Sequence, residues 1–138
     1  KGLSSVMVAH LNVPSLDARS NYPSSLSYPI VTELLKEKLG FKGLIFTDAL
    51  DMKGASNFSI PGEVDLQAFL AGNDVILMSV DVNQGINTLQ KALESGVISE
   101  KRLAHSVKKI LSAKYKVGLA QYKPINTINL VSELNRLP

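Results

Sequence analysis

Two stretches of the chain are apolar without alternation, Gly43-Leu44-Ile45-Phe46-Thr47 and Asp74-Val75-Ile76-Leu77-Met78-Ser79. A strand with one wet face would alternate, so these runs predict short strands covered on both faces, as in a parallel sheet. Leu3-Ser4-Ser5-Val6-Met7-Val8-Ala9 is a weaker version of the same pattern. After each run comes a polar loop and then helical spacing. The first helix begins near Pro29, with Ser27 as its expected cap. Ile30, Val31, Leu34, Leu35 and Leu39 lie on one face, and Gly40 stands where a left-handed residue stops the helix. The second covers residues 63–71, with Val64, Leu66, Phe69 and Leu70 apolar and Gly72 after it. The third covers residues 83–94, with Ile86, Leu89, Ala92 and Leu93 inward. The fourth opens at Ser99-Glu100-Lys101-Arg102 and carries Leu103, Val107, Ile110 and Leu111.

The resulting order is strand, helix, strand, helix, strand, helix, helix, which indicates α/β architecture with a parallel sheet. Three strands neither close a barrel nor cover their own edges, so the pattern is expected to be part of a larger sheet. The tail, residues 121–138, reads as a connection with a short amphipathic end around Leu130, Val131, Leu134 and Leu137.

Composition narrows the chemistry more than the fold. The 138 residues are 45% hydrophobic and 20% charged, ordinary for a globular domain. No apolar run approaches the roughly 20 residues of a membrane-spanning helix, so no transmembrane segment is expected. The first residues, Lys1-Gly2-Leu3-Ser4-Ser5, lack the plan of a signal peptide and an initiator Met, and the natural start is expected upstream. With no cysteine, disulfides, thiolate metal sites and a cysteine nucleophile are excluded, while the compartment stays open between cytoplasm and cell envelope. The formal charge of +3 is concentrated in Lys101, Arg102, Lys108, Lys109, Lys114 and Lys116. No aromatic residues are interleaved for base stacking, so this reads as a solvated helix face and nucleic acid is not expected as a partner.

In parallel α/β folds, active sites gather beyond the carboxyl ends of the strands. Those ends supply His10 and Asn12, then Asp48, Asp51, Met52 and Lys53, then Ser79 and Asp81. Asp48 follows an apolar run that would hold it rigidly, as a nucleophile or metal ligand requires. It reads equally as the cap of the turn that follows. His10 reads as an acid–base or substrate group, or as a histidine that orders the loop at residues 11–28. His105 reads as a surface residue, and two histidines so widely separated make a weak case for a zinc site. Phosphate loops, Gly-x-Ser-x-Gly elbows and dinucleotide fingerprints are absent from the sequence, so no cofactor is expected.

At Gly40-Phe41-Lys42-Gly43-Leu44-Ile45-Phe46-Thr47-Asp48-Ala49-Leu50-Asp51-Met52-Lys53-Gly54-Ala55 the chain resembles the nucleophile segment of glycoside hydrolase family three, in particular its bacterial β-N-acetylglucosaminidase branch. Val6-Met7-Val8-Ala9-His10, with the Val13-Pro14-Ser15-Leu16-Asp17 and Pro23-Ser24-Ser25-Leu26-Ser27 stretches after it, is similar to the family's sixth strand and loop. Ala71-Gly72-Asn73-Asp74-Val75-Ile76-Leu77-Met78 is similar to its last barrel strand. The resemblance spans residues 6–119 and implies the C-terminal three strand–helix units of a (β/α)8 TIM-type barrel over residues 1–119, with a connecting segment and short packing helix over 120–138. It implies a carbohydrate hydrolase with Asp48 as nucleophile, His10 and Met52 at the substrate, no metal, and the N-terminal part of the barrel as partner.

Ala49 departs from the branch, which often has a second aspartate there, and Asp51 replaces a frequent serine; both bear on the sugar more than on Asp48. The family's acid/base pair and Lys-His binding motif lie upstream of this segment, so the isolated chain is expected to be inactive. Two other readings stay open, a non-catalytic packing subdomain and a metal-dependent barrel using Asp48 and Asp81.

Overall fold

The computed structural model describes residues 2–124 and 126–136. At its centre lies a three-stranded parallel sheet in the order β1-β2-β3, formed by β1 (Ser5–Val8), β2 (Leu44–Ala49) and β3 (Val75–Leu77). Ser5, Val6, Met7 and Val8 stand opposite Leu44, Ile45, Phe46 and Thr47. Chain order and sheet order coincide, so each connection moves one strand along in the same direction. The expected α/β class is observed. One boundary differs in a way that matters: β2 runs past Asp48 to Ala49, whereas the strand was expected to end at Thr47-Asp48. A polar side chain does not end a strand whose backbone still has a ladder partner.

Helices fill the connections. A π-helix, Pro29–Lys38, joins β1 to β2, and the Leu39 N–H bonds the Leu34 carbonyl five residues back. Ser27 Oγ accepts the Ile30 N–H at 3.4 Å and donates to Asp17, so the expected cap also ties the helix to the preceding loop. Between β2 and β3 lie the short α1 (Lys53–Ser56), which periodicity had not revealed, and α2 (Glu63–Ala71). Following β3 are α3 (Val82–Glu94), capped by Asp81, and α4 (Glu100–Lys116), capped by Ser99. A last short helix, α5 (Leu130–Leu134), presents Val131 and Leu134 to solvent; Leu137, expected beside them, lies outside the described residues, as does Lys1.

The core lies on one side of the sheet. Val31, Ile45 and Ala71 are buried together, with Val6, Val8, Leu35 and Phe41 packed around them. Ile76 of β3 joins Val64 and Ala68 of α2 on one flank, and Phe69, Ala92 and Ile98 on the other. The opposite face is open: Met7 is 61% exposed and Leu77 39%. The expectation of strands covered on both faces therefore holds for one face only within this chain. The apolar faces of the outer helices are also open in part. Leu39, Ile86, Leu103, Val107 and Leu111 are exposed where periodicity had placed them inward.

Two glycines explain the turn before β2. Gly40 adopts φ +68, which stops the π-helix without the penalty a side chain would meet. Gly43 instead serves close approach: a Cβ there would lie 2.5 Å from the Ser4 carbonyl oxygen and 2.6 Å from the Phe41 ring. That space is needed because Leu44 N–H bonds the same Ser4 carbonyl at 3.0 Å, which starts the β1–β2 ladder.

Candidate active site

The strand ends place His10, Asp48, and the Met78-Ser79 segment along one edge of the sheet. Between β2 and β3 the register slips: Phe46 pairs with Val75 but Ala49 pairs with Leu77, so Thr47 and Asp48 stand opposite the single residue Ile76. This is the geometry of a β-bulge, which re-aims a side chain and sharpens the local twist. Asp48 thus occupies an irregularity built into the strand, not a loop beyond it.

The bulge is held by side-chain and backbone bonds. Thr47, fully buried, accepts the Leu77 N–H on Oγ1 at 2.9 Å. Beyond Asp48 the backbone keeps pairing, with Leu50 N–H to the Leu77 carbonyl at 2.9 Å and Asp51 N–H to the Met78 carbonyl at 3.0 Å. Met78 pays for this with φ +47, an uncommon conformation for a residue with a side chain and one that clusters at functional sites. Asp48 itself is half-buried. Its Oδ1 accepts the Ala49 N–H at 2.9 Å, and Oδ2 has no hydrogen-bond partner among the described residues.

His10 sits against the next peptide. Its Nε2 meets the Ala49 carbonyl oxygen at 2.8 Å and its Nδ1 meets Ser25 Oγ at 2.6 Å. A carbonyl only accepts, so Nε2 carries a proton, and in the neutral ring Nδ1 is then the acceptor of the Ser25 hydroxyl. The same Ala49 carbonyl accepts the Met52 N–H at 3.1 Å, which closes a tight turn over residues 49–52. Met52 is 49% exposed at the start of α1. Gly54 follows, where a Cβ would come within 3.0 Å of the His10 Cβ.

The remaining candidates separate from this group. Asn12 donates to the Arg19 and Tyr22 carbonyls and orders the loop after β1. Asp81 accepts the Gln84 N–H at 3.0 Å as the cap of α3. Asp51 and Lys53 are exposed, and His105 is exposed on α4. Among the described residues, no group of three or more His, Asp or Glu side chains is arranged to hold a metal ion.

Sequence reasoning gave no role to Ser25 or Asn73, both fully buried. Asn73 donates to the Ser25 and Ala68 carbonyls, each at 2.7 Å. The legible signal was a serine cluster, Ser24, Ser25 and Ser27, that a merely solvated loop would not bury. A second polar centre lies at the other end of the sheet. Asp74, its side chain shielded from solvent, accepts from Ser106, Lys109 and the Ile45 N–H, with Arg102 3.9 Å away. Burial disfavours its charged form, but Lys109, Ser106 and the Ile45 N–H outweigh that and hold its carboxyl below the usual range.

Comparison with known proteins adds to this geometry. Residues 1–113 match the family model described as glycosyl hydrolase family 3 N terminal domain. The chain is 32% identical over 130 residues to beta-hexosaminidase A of Pseudoalteromonas piscicida, covering 81% of this chain and 22% of that protein. It is 43% identical over 76 residues to a beta-hexosaminidase of Vibrio cholerae, covering 55% of this chain and 22% of the relative. A solved glycoside hydrolase family 3 beta-N-acetylglucosaminidase from Paenibacillus superposes with a TM-score of 0.84 at 34% identity, over 91% of this chain and 24% of that one. The chain therefore spans roughly a quarter or less of the length of these relatives. The matched residues contain the bulged strand of Asp48, β1 with His10 beyond its end, and the helices behind them, and on that match the chain belongs to glycoside hydrolase family 3.

Proposed function

We propose that the protein containing this chain is a retaining β-glycosidase and that Asp48 is its nucleophile. The observation that carries the reading is the Asp48 carboxylate itself, set in a bulge at the strand end with Oδ1 held by Ala49 N–H and Oδ2 unpartnered among the described residues. A carboxylate so held attacks an anomeric carbon along a defined direction and forms a covalent glycosyl-enzyme, which water then hydrolyses. The second group, usually about 5–5.5 Å from the nucleophile in retaining enzymes, protonates the leaving oxygen and later activates water. In this reading it comes from upstream sequence. His10 has both nitrogens on protein partners and His105 stands on the exposed side of α4.

The proposed architecture is the last three strand–helix units of a (β/α)8 barrel over residues 1–119, followed by a connecting segment over 120–138. Sequential parallel strands with helices on a single face support it, because a barrel needs its other face free for the interior. The open side of β1 and β3 would then meet the rest of the barrel, the partner this chain requires. His10 and Met52 are placed on the substrate wall, His10 by the position of its ring and Met52 by its exposed thioether. The substrate class is a terminal β-linked sugar, with β-N-acetylglucosaminide preferred over β-glucoside because relatives are named for hexosaminidase activity. No metal or cofactor takes part in the proposed chemistry.

The test is Asp48→Ala in the full-length protein, assayed with aryl β-N-acetylglucosaminide and aryl β-glucoside. The variant is expected to lose turnover of whichever substrate the native protein cleaves. Near-native activity in the variant sinks the assignment. The chain by itself is expected to hydrolyse neither substrate, and clear turnover by it would place the acid/base group within these residues.

A further inference from the structure

The hydrogen bonds behind Asp48 form an unbroken series that begins in the core. Asn73, fully buried at the end of α2, fixes the Ser25 backbone by donating to its carbonyl at 2.7 Å. Ser25, also fully buried, presents its hydroxyl to His10 Nδ1 at 2.6 Å. His10 Nε2–H reaches the Ala49 carbonyl at 2.8 Å, and the N–H of that same residue reaches Asp48 Oδ1 at 2.9 Å. The two peptide groups flanking the Ala49 Cα are therefore both engaged, one by a histidine and one by the carboxylate.

We infer that His10 and Ser25 are positioning residues for the Asp48 carboxylate, acting through the Ala49 backbone. The inference rests on Asp48 being the nucleophile and deepens that reading.

The physical need comes from the bulge. Thr47 and Asp48 stand opposite one residue, so the strand supplies fewer ladder bonds where the carboxylate must be aimed. A backbone released from regular pairing has more freedom in ψ, and rotation about that bond swings the Ala49 N–H on which Oδ1 rests. On its far side the Ala49–Leu50 peptide is held by Leu50 N–H on the Leu77 carbonyl and by Met52 N–H on the Ala49 carbonyl, and His10 adds the side-chain tie that limits this freedom further. The imidazole suits the task because its two nitrogens are fixed relative to one another. When Ser25 donates to Nδ1, the proton is left on Nε2 and aimed at the carbonyl. Its neighbours leave little slack, since a Cβ on Gly54 would already lie 3.0 Å from the His10 Cβ. With both nitrogens turned to protein, His10 contributes to the substrate wall by shape and not by a hydrogen bond to the sugar.

The test compares His10→Phe, His10→Gln and Ser25→Ala in the full-length protein. His10→Phe keeps a planar ring and loses both bonds. Its kcat is expected to fall about 100-fold, the scale of a displaced reacting group, with KM nearly unchanged. His10→Gln retains an amide donor at the reach of Nε2 and is expected to recover most of that loss. Ser25→Ala, which removes the partner that sets the tautomer, is expected to lower kcat in the same direction. The rate at which an activated 2-deoxy-2-fluoro glycoside labels Asp48 is expected to follow kcat across the series, because it reports nucleophilic attack alone. Thermal unfolding of each variant separates this from a folding defect; if His10→Phe does not fold, Ser25→Ala and His10→Gln carry the comparison. A rise in KM with kcat and the labelling rate unchanged would make His10 a direct sugar contact and overturn the inference. So would native kcat in His10→Phe or Ser25→Ala. If Asp48→Ala is inactive while His10→Phe is normal, only this inference fails; if Asp48→Ala remains active, the nucleophile assignment fails instead.

Discussion

Thr47 Oγ1 accepts the Leu77 N–H at 2.9 Å, so a side chain supplies an acceptor where the bulge interrupts the β2–β3 ladder. Thr47→Val keeps the branched shape and removes that acceptor. The Leu77 N–H then loses its partner beside a fully buried side chain, which costs about 1–3 kcal/mol. Thr47→Ser retains the oxygen and is expected to cost less. Denaturant midpoints of the two variants check this, and turnover is expected to fall in the valine variant beyond the stability loss, since Asp48 is next in the chain. Equal midpoints for valine and serine would mean that the bond contributes nothing.

The same residue shows what the sequence could and could not reveal. Its motif carried the resemblance that singled out Asp48, and the apolar runs located all three strands. Helix ends were legible too, because Gly40, Gly72, Ser99 and Pro29 act locally through φ or a single cap. What failed depended on partners far along the chain. The bulge at Thr47 and Asp48 arises from pairing with β3, about thirty residues later, and no local pattern encodes a register slip. His10 left two readings open because its partners, Ser25 and Ala49, belong to different segments. Leu103, Val107 and Leu111 have helical spacing but are exposed. Periodicity identifies an apolar face without saying which element covers it.

Gly43 and Gly40 separate two reasons for a glycine. At Gly43 a methyl group would lie 2.5 Å from the Ser4 carbonyl that starts the β1–β2 ladder, so Gly43→Ala must push the strands apart. The expected cost is about 1–3 kcal/mol, typical of overpacking. Gly40→Ala meets no neighbouring atom and incurs only the strain of φ +68, roughly 1 kcal/mol. Unfolding midpoints of the two variants should fall in that order. The reverse order would place the tight approach elsewhere.

Asp74 ties α4 to the base of the sheet, and its charge makes that tie sensitive to acid. Its folded-state pKa lies below the ordinary value because Lys109, Ser106 and the Ile45 N–H outweigh burial. The stabilisation it provides is therefore complete above the unfolded carboxylate value, about 3.9, and is lost as pH falls through the lower folded value. Asp17, held low by Arg19 and by Ser27 despite the opposing effect of burial, contributes in the same window. Stability measured against pH is expected to drop below about pH 4. Asp74→Asn should flatten part of that drop and also lower stability at neutral pH by about 3–5 kcal/mol, because Lys109 and Arg102 lose their counter-charge. An unchanged acid limb in the variant would remove Asp74 as its source.

Lys36 predicts a second rise of stability with pH, in the alkaline range. Burial depresses it from 10.5 to about 8, and the positive charges of Arg102 and Lys109 push the same way against Asp74. Its ammonium donates to the Gly72 carbonyl while Arg102 donates to the Phe69 and Asn73 carbonyls, so both cations serve the C-terminal end of α2. Between the folded and unfolded values the unfolded chain binds the extra proton, so stability rises with pH from about 8 to 10.5. Lys36→Met keeps the length and apolar stem of the side chain and cannot titrate. The difference in Tm between native protein and variant should therefore shift in favour of the native protein as pH is raised through that window. A difference that stays constant with pH would show that Lys36 keeps its proton equally in both states, and that its bond to Gly72 is worth as much as the hydration it gives up.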